Sequence, residues 1–215
     1  MSEMRIGQFQ ILGTLGSGAH STILHVRRSA DGRNYALKVV PIQGNEDQKF
    51  LEQAQHEFRV AGMLDHKNLI KVYALEMVKD WLFRIRKVHL LIEYVNGKTL
   101  DKMPALSVPR LVQIFSRVAA GLNHMHRRGV CHADLNAHNI LLSEDGVYLV
   151  DFDRCQLRGG GLWRDANLVR LRRSLEKLTW ALPPERFAEA DWHGLLDGYR
   201  QSSGSPGPEL LAAAG

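Results

Sequence analysis

The chain has 215 residues, of which 45% are hydrophobic and 24% charged, and its formal net charge is +5. That length suffices to bury a core in one domain or two small lobes, and no apolar run approaches the roughly 20 residues that cross a bilayer. Two cysteines argue against a disulfide framework, while the positive charge is compatible with an anionic substrate, nucleic acid or an acidic membrane surface. Residues 1–5 lack the apolar core of a signal peptide, so we expect a cytoplasmic protein.

A glycine-containing turn joins the first two strands that the sequence predicts. The pattern of residues 9–40 predicts three antiparallel strands, and Gly16 and Gly18 in the first turn would let backbone N–H groups approach a phosphate. Taken alone, Gly-x-Gly usually marks only a hairpin turn. Lys38 adds a second signal, because an ammonium flanked by apolar residues in a buried strand is costly unless it meets an anion. We therefore expect these three residues to bind the phosphates of a nucleotide.

An amphipathic helix is predicted over residues 47–64, where apolar side chains recur at helical spacing. Glu57 lies on the same side as these apolar neighbours and could pair with Lys38, which would hold the lysine toward the phosphates. Glu52 is a weaker competitor for that role. A solvated helix face is the alternative for both carboxylates.

Two further strands are predicted at residues 68–76 and 88–95, and the pattern then breaks at an Asn-Gly pair. The break predicts a flexible joint at the end of the sheet. Here the backbone groups of Glu93 and Val95 are candidates for binding an adenine ring, with Ile92 lining the rear of its pocket.

The centre of the sequence places three polar side chains around a predicted hairpin. A core-facing helix over residues 111–128 precedes it, and two apolar runs within residues 140–150 predict two strands joined by a tight turn. Asp134 and Asn139 precede the hairpin and Asp151 follows it, so the three could converge. Phosphoryl transfer needs such convergence, because one Asp takes the proton of the acceptor hydroxyl while an Asn oxygen and a second Asp hold Mg²⁺ against the phosphates of ATP.

The remaining sequence predicts two helices and a tail. Residues 163–178 carry a leucine stripe and a basic remainder, which is either a solvated face or a surface for an anionic acceptor or lipid head groups. A last helix is predicted over residues 187–199. The composition of residues 201–215 predicts a disordered tail.

An ordered set of motifs resembles the protein-kinase-like superfamily across residues 9–153. The motifs are Gly16-x-Gly18, Ala36-Leu-Lys38, Glu57, Glu93-Tyr-Val95, His132-x-Asp134-x₄-Asn139 and Asp151-Phe. The resemblance implies an α+β, protein-kinase-like two-lobe fold. Its small antiparallel-sheet N-lobe would comprise residues 1–95, and its short, mainly helical C-lobe residues 96–200.

The same resemblance implies ATP and Mg²⁺ as cofactors. By it, Asp134 is the catalytic base, Asn139 and Asp151 bind the metal ion, and Lys38 grips the ATP phosphates. His132 is expected to support the loop by packing.

Three residues depart from the motifs of that superfamily. Ser21 replaces the third glycine, Ala133 stands where an Arg precedes the catalytic Asp in many regulated kinases, and Asp153 replaces the Gly of Asp-Phe-Gly. Loss of the Arg removes the cation that would bind an activation-loop phosphate, so we do not expect a phosphorylation switch.

The two halves of the chain resemble different branches of the superfamily. Residues 1–128 are similar to bacterial Ser/Thr protein kinases, for example in Tyr35-Ala-Leu-Lys-Val-Val and Leu91-Ile-Glu-Tyr-Val. Residues 129–199 closely resemble the 3-deoxy-D-manno-octulosonic acid (Kdo) kinase family, for example in His132-Ala-Asp-Leu-Asn-Ala-His-Asn and Val150-Asp-Phe-Asp-Arg154. That family uses ATP to phosphorylate the Kdo sugar on a lipid A precursor, at the cytoplasmic face of the inner membrane of Gram-negative bacteria.

The short sequence after Asp151 favours a glycolipid acceptor over a protein, because no Ala-Pro-Glu motif or long activation segment offers a platform for a peptide. We therefore expect a role in lipopolysaccharide biosynthesis, with Kdo-lipid A as acceptor, peripheral contact with the membrane and no nucleic-acid partner. Arg154, Arg158 and Trp163 are candidates for orienting the sugar. The alternatives are a Ser/Thr protein kinase and a nucleotide-binding pseudokinase.

Overall fold

A computed structural model describes residues 4–18, 20–159, 168–173, 176 and 189–203 of the chain. The chain forms two compact units rather than one. The first unit contains the described residues up to 65, together with residues 70–96 and 151–154. The second contains residues 66–69, residues 97–150 and the described residues from 155 onward. The boundary between the units is therefore not a single point at residue 95. Residues 66–69 belong to the second unit and residues 151–154 to the first, although the chain on either side of each segment belongs to the other unit.

The first unit is built on a six-stranded antiparallel sheet with strand order β1-β2-β3-β4-β6-β5. Its strands are β1 (Arg5–Ile6), β2 (Phe9–Ser17), β3 (Thr22–Arg28), β4 (Asn34–Pro41), β5 (Val72–Lys79) and β6 (Ile85–Glu93). Strands β2, β3 and β4 are the three that the sequence predicts over residues 9–40, and their antiparallel pairing confirms that prediction.

One helix of the first unit packs on this sheet. Helix α1 (Gln48–Ala61) follows a short 3-10 helix (Asn45–Asp47) and lies within the predicted range of residues 47–64. Its buried face belongs to an apolar cluster formed by Val40, Ile42, Leu51, Ala54, Val88 and Leu90. Alternate residues of a strand point to opposite faces, so Lys38 shares with Val40 the face of β4 that meets α1.

Strand β5 begins four residues later than the sequence predicts. Asn68 and Leu69 belong to the second unit, where the carbonyl of Asn68 accepts a hydrogen bond from Leu149 N–H at 2.8 Å and Leu69 forms a bridge with Leu149. The apolar pattern that begins at residue 68 is therefore divided between the units. Residues 68 and 69 belong to the second unit, and residues from 72 onward form β5 in the sheet of the first. The strand predicted at residues 88–95 is β6, which begins earlier and ends two residues sooner.

The second unit combines short strands with long helices. Strands β7 (Gly97–Thr99), β9 (Ile140–Ser143) and β10 (Val147–Leu149) form an antiparallel sheet of order β10-β9-β7, and β8 (Val130–Cys131) pairs with β11 (Gln156–Leu157). The described part of this unit also contains two 3-10 helices (Leu100–Lys102 and Ala137–Asn139) and two longer helices, α2 (Val108–Arg127) and α3 (Glu189–Ser203). Residues 168–173 are also helical.

Helix α2 is the core element of the second unit. Ile114, Val118, Leu122 and Met125 recur at helical spacing and are at most 1% exposed. Gly129 follows its end with φ +70, and a Cβ there would approach Arg158 O to 2.8 Å, so glycine is required at this turn.

The last described helix extends further than the sequence predicts. Helix α3 continues to Ser203 and so includes the first three residues of the stretch predicted as a disordered tail. Gln and Ser do not prevent a helix. The rest of the predicted tail, residues 204–215, lies outside the described residues. None of the described helices combines the length and apolarity needed to cross a bilayer.

Candidate active site

The Lys38 ammonium lies between two carboxylates of the first unit. Its Nζ is 2.7 Å from Glu57 Oε2 and 3.6 Å from Asp151 Oδ1. Glu57 is only 3% exposed, whereas Glu52, its competitor in the sequence, is exposed. The structure therefore pairs Lys38 with Glu57.

Burial and charge act in opposite directions on this pair. Burial lowers the pKa of Lys38, but the attraction of Glu57 and Asp151 outweighs it, and the pKa lies above its ordinary value. Burial raises the pKa of Glu57 above its ordinary value, because the attraction of Lys38 offsets only part of the effect of burial. Lys38 is consequently held as a cation, which is the form that binds phosphate.

Asp151 and Asp153 form a second pair of carboxylates beside the lysine. Asp151 has φ +67, a conformation that Asp tolerates better than most residues. Burial and the charge of Asp151 raise the pKa of Asp153. Gln53 of α1 donates from Nε2 to Asp153 Oδ2 at 2.7 Å. Asp153, which stands where kinases have glycine, is thus bound to the helix that supplies Glu57.

Gln53 is a site residue that sequence reasoning missed. It lies four residues before Glu57, so both side chains project from one face of α1. Two features of the sequence could have pointed to Gln53: its helical spacing from Glu57 and the carboxylate at position 153. Neither feature identifies the partner by itself, because the two residues are 100 positions apart in the chain.

The glycine-containing turn lies between β2 and β3. Gly16, which was predicted to lie in the turn, belongs to β2 and pairs with Ile23 one pair before the ladder ends. Gly18 N–H donates to Ser21 O at 2.8 Å. A Cβ at Gly16 would meet nothing within 4 Å, so this glycine is not required by packing. Ser21, in place of a third glycine, closes the turn through its backbone carbonyl.

The end of β6, which was predicted to bind adenine, is hydrogen-bonded to the segment just before β5. Glu93 N–H donates to Lys71 O at 2.8 Å, and Glu93 Oε2 accepts from Lys71 N–H at 3.1 Å. The N–H of Glu93 is therefore engaged within the first unit. Val95 lies two residues beyond the end of β6, half-buried. The assignment of both residues to adenine stays a prediction.

In the second unit, Asp134 lies in a tightly folded loop. Its N–H donates to His132 O at 2.7 Å, and Ala133 between them has φ +56. His132 is fully buried, and its Nε2 donates to Val150 O at 3.1 Å. A non-glycine residue in the left-handed region costs about 1–3 kcal/mol, and such costs concentrate at functional sites. The backbone before Asp134 is thus held by neighbouring contacts.

Two asparagines hold the carbonyl of Asp134. Asn139 Nδ2 donates to it at 2.8 Å and Asn136 Nδ2 at 3.0 Å. Asn136 also accepts from His138 N–H at 2.9 Å and so caps the 3-10 helix that contains Asn139. Asn136 is a second residue that sequence reasoning missed, although an Asn just before a short helix is a capping signal.

The predicted hairpin after this loop is confirmed. Strands β9 and β10 pair with Leu142 opposite Val147, and the side-chain hydroxyl of Ser143 accepts two N–H bonds within the turn. Asn68, 4% exposed, donates from Nδ2 to Val147 O at 2.8 Å. This buried amide fixes the hairpin, and its role was not visible in the local sequence.

The residues predicted to orient an acceptor are only partly described. Arg154 is exposed, and Arg158 donates from Nε to Gln156 Oε1 at 2.8 Å. Trp163 lies outside the described residues. In the basic helix, Arg172 binds Glu176 and Glu189 at 2.8 and 2.7 Å, so this cation serves a structural pair.

The predicted metal ligands fit Mg²⁺ in their chemistry. Mg²⁺ takes oxygen ligands and is usually held by one or two carboxylates together with substrate phosphates. The Asp151 side chain is 37% exposed. The amide nitrogen of Asn139 is engaged by the carbonyl of Asp134, which leaves the amide oxygen as the atom for a cation. Each residue, within its own unit, thus presents an oxygen donor.

The first unit carries a partly buried lysine paired with a buried glutamate, beside an Asp of positive φ, on an antiparallel sheet with a packed helix. This is the nucleotide-binding arrangement of protein-kinase-like phosphotransferases. The protein kinase domain family matches residues 9–162, and the chain belongs to this family. The predicted membership in the superfamily and the predicted α+β, kinase-like fold are thereby confirmed.

Relatives from both branches that the sequence suggests match the chain. The chain is 42% identical over 83 residues to 3-deoxy-D-manno-octulosonic acid kinase of Actinobacillus succinogenes. The matched stretch covers 37% of this chain and 34% of the relative. It is 40% identical over 122 residues to the enzyme of that name from Haemophilus influenzae, or 55% and 46% of the two chains. It is 26% identical over 151 residues to serine/threonine-protein kinase PrkC of Bacillus subtilis, or 68% and 22%. The chain thus spans about a third to a half of the length of these Kdo kinases.

Proposed function

We propose that the chain is an ATP-dependent phosphotransferase that phosphorylates the Kdo sugar of a lipid A precursor in lipopolysaccharide biosynthesis. The observation that carries this proposal is the 40% identity to a Kdo kinase over 122 residues. The Lys38–Glu57 pair beside Asp151 supports the use of ATP, since a partly buried cation held by a carboxylate is suited to a phosphate.

In this proposal the protein acts mainly by positioning its substrates. Phosphoryl transfer involves little covalent chemistry for the protein, so orientation and electrostatics dominate. Lys38 binds the ATP phosphates, and Glu57 holds its ammonium in place. The backbone around Gly16 and Gly18 covers the phosphates.

Asp134 is the proposed base. It accepts the proton of the acceptor hydroxyl as that oxygen attacks the γ-phosphorus, and ADP departs. Asn139 and Asp151 are the proposed ligands of Mg²⁺, which when bound would neutralise charge on the phosphates. The hydrogen bonds that fix the carbonyl of Asp134 support its role, because they hold the loop that carries its side chain.

The purine is assigned to the strand end at Glu93 and Val95. Because Glu93 N–H already donates to Lys71 O, the proposed contact from Glu93 is its carbonyl. Val95 would supply a second backbone contact.

We place the protein in the cytoplasm, peripherally on the cytoplasmic face of the inner membrane, where a lipid A precursor would be accessible. Arg154 and Arg158 remain the proposed contacts for the anionic sugar. Both are exposed, which supports their availability to a ligand.

A Ser/Thr protein kinase is the second candidate. It is favoured by the similarity to PrkC, which extends over 151 residues and 68% of the chain. A protein acceptor and a glycolipid acceptor would use the same base and the same nucleotide contacts, so only the acceptor distinguishes the two functions.

The test is transfer of labelled γ-phosphate from Mg-ATP, run in parallel on Kdo-lipid A and on a generic protein acceptor. Labelling of the glycolipid that disappears in Asp134→Ala supports the proposal. Labelling of protein alone would overturn it in favour of the second candidate. Thermal stabilisation by ATP without transfer to either acceptor would indicate a pseudokinase.

A further inference from the structure

The hairpin between β5 and β6 exposes aromatic side chains at its tip. Trp81 is 84% exposed, Phe83 82% and Leu82 between them 43%. We call these three residues the aromatic tip. Exposed apolar side chains scattered singly need no explanation, but three consecutive ones at the end of a hairpin form a contiguous apolar surface.

The tip is held rigidly by Asp80. Asp80 Oδ1 accepts from Leu82 N–H at 2.9 Å and from Arg84 N–H at 3.0 Å, and Asp80 O accepts from Phe83 N–H at 3.0 Å. Asp80 N–H donates to Arg84 O at 2.9 Å and closes the hairpin. Four hydrogen bonds thus fix the backbone that presents the aromatic rings, so their exposure is not the result of a loose loop.

The turn does not need an aromatic residue for its own geometry. Phe83 has φ +59, at the position of a hairpin turn that usually carries glycine. A side chain in this conformation costs about 1–2 kcal/mol, and the ring is too exposed to regain that by burial in the fold. The aromatic tip is therefore better explained by a partner outside the chain.

Basic side chains flank the tip on both strands. Residues 79–87 contain four cations and one carboxylate. Arg86 pairs with that carboxylate, Asp80, at 2.8 Å, while Lys79, Arg84 and Lys87 have exposed side chains. We call these three the basic collar. The carboxylate is neutralised locally, so the tip emerges from a positively charged surface.

We propose that the aromatic tip inserts into the head-group region of an anionic phospholipid bilayer while the basic collar contacts its phosphates. Trp is favoured at membrane–water interfaces, where its ring is amphipathic, and each cation near an anionic surface adds to the attraction. A protein partner is less favoured by the same observations, because three side chains at the end of a hairpin offer little area for a specific protein interface. The inference does not depend on the acceptor, since the hairpin would bind a bilayer that contains no Kdo.

The first test is flotation of the whole chain with vesicles of phosphatidylethanolamine and phosphatidylglycerol, against vesicles of phosphatidylcholine alone. We expect binding to the anionic vesicles that weakens as salt is added. The Trp81→Ser/Phe83→Ser variant should lose at least about tenfold in partitioning, and Lys79→Gln/Lys87→Gln about tenfold or more.

The matched control is Met4→Ser/Val112→Ser, which also removes two exposed apolar side chains, 72% and 44% exposed, neither of which belongs to the hairpin. It should bind vesicles as the wild type does. Equal loss in Trp81→Ser/Phe83→Ser and in this control would overturn the proposal, as would equal binding to phosphatidylcholine. Circular dichroism and melting curves should be unchanged in both, because all four side chains are exposed.

A second measurement separates insertion from adsorption. Brominated lipids quench the fluorescence of a tryptophan that enters the bilayer, so the wild type should lose more emission than Trp81→Phe, which keeps an aromatic ring and should still float. Equal quenching would place Trp81 outside the bilayer and overturn insertion. If instead the Ser double variant only converts a self-associated species into a monomer, with no vesicle binding by the wild type, the tip serves a protein contact.

Discussion

Gln53 Nε2 donates a hydrogen bond to Asp153 Oδ2 at 2.7 Å and thereby ties α1 to the segment that carries Asp151. A second link runs from the same helix through Glu57 and Lys38 to Asp151. The helix is thus connected to Asp151 itself through Lys38 and to the nearby Asp153 through Gln53. In a kinase with glycine at position 153, the first of these links could not form.

Loss of the Gln53 amide should impair the use of ATP. We expect Gln53→Ala to lower kcat/KM for ATP by about tenfold, the effect of losing one hydrogen bond to a charged group. Gln55→Ala, on the exposed side of α1, is the control and should be neutral. Steady-state kinetics with varied ATP would measure both. The same rate for both variants would mean that the link does not position Asp151.

The carboxylate at position 153 should make stability depend on pH. Its pKa is raised in the folded protein, so the folded state binds the proton more tightly than the unfolded chain does. Ionisation of Asp153 therefore lowers the free energy of unfolding, and this destabilisation grows as the pH rises through the pKa of Asp153 in the folded protein. Asp153→Asn, which keeps an acceptor for Gln53, should melt above the wild type at neutral pH, with a difference that shrinks toward about pH 4.

Thermal melting across that pH range measures the effect. Asp145→Asn removes a carboxylate from an exposed hairpin turn and serves as the comparison. A melting difference for Asp153→Asn that does not vary with pH would show that the ionised group carries no cost.

Removing the lysine should separate stability from nucleotide binding. Lys38→Met leaves Glu57 buried without its cation, which should lower the free energy of unfolding by about 3 kcal/mol. Lys38→Met/Glu57→Leu removes both charges and should regain most of that stability. Neither variant should be stabilised by Mg-ATP. Urea unfolding and thermal shift measure the two properties, and a double variant as unstable as the single one would contradict the account.

The sequence was informative where one residue conflicts with its local pattern. Lys38 in an apolar strand and Glu57 on an apolar helix face each need a partner of opposite charge, and the structure joins them. The hairpin of β9 and β10 was likewise predictable, because two apolar runs and a turn are local signals.

The sequence was uninformative where polar residues meet across long distances in the chain. Gln53 and Asp153 are 100 positions apart, and Asn68 meets Val147 over 79 positions. Neither asparagine nor glutamine disturbs a local pattern, so nothing marks it for a distant partner. The late start of β5 has the same origin, since Asn68 bonds outside the sheet that its neighbours join.

Phe83 provides a test of whether the aromatic tip is retained for a purpose other than folding. Glycine adopts φ near +59 without steric cost, so Phe83→Gly should raise the free energy of unfolding by about 0.5–1 kcal/mol. Trp81→Gly is the matched control, because Trp81 is equally exposed but is not among the non-glycine residues of positive φ. It should give no gain. Both variants should bind anionic vesicles less well. A residue whose removal stabilises the fold but weakens membrane binding is explained by the membrane, whereas a less stable Phe83→Gly would show that the turn depends on the ring.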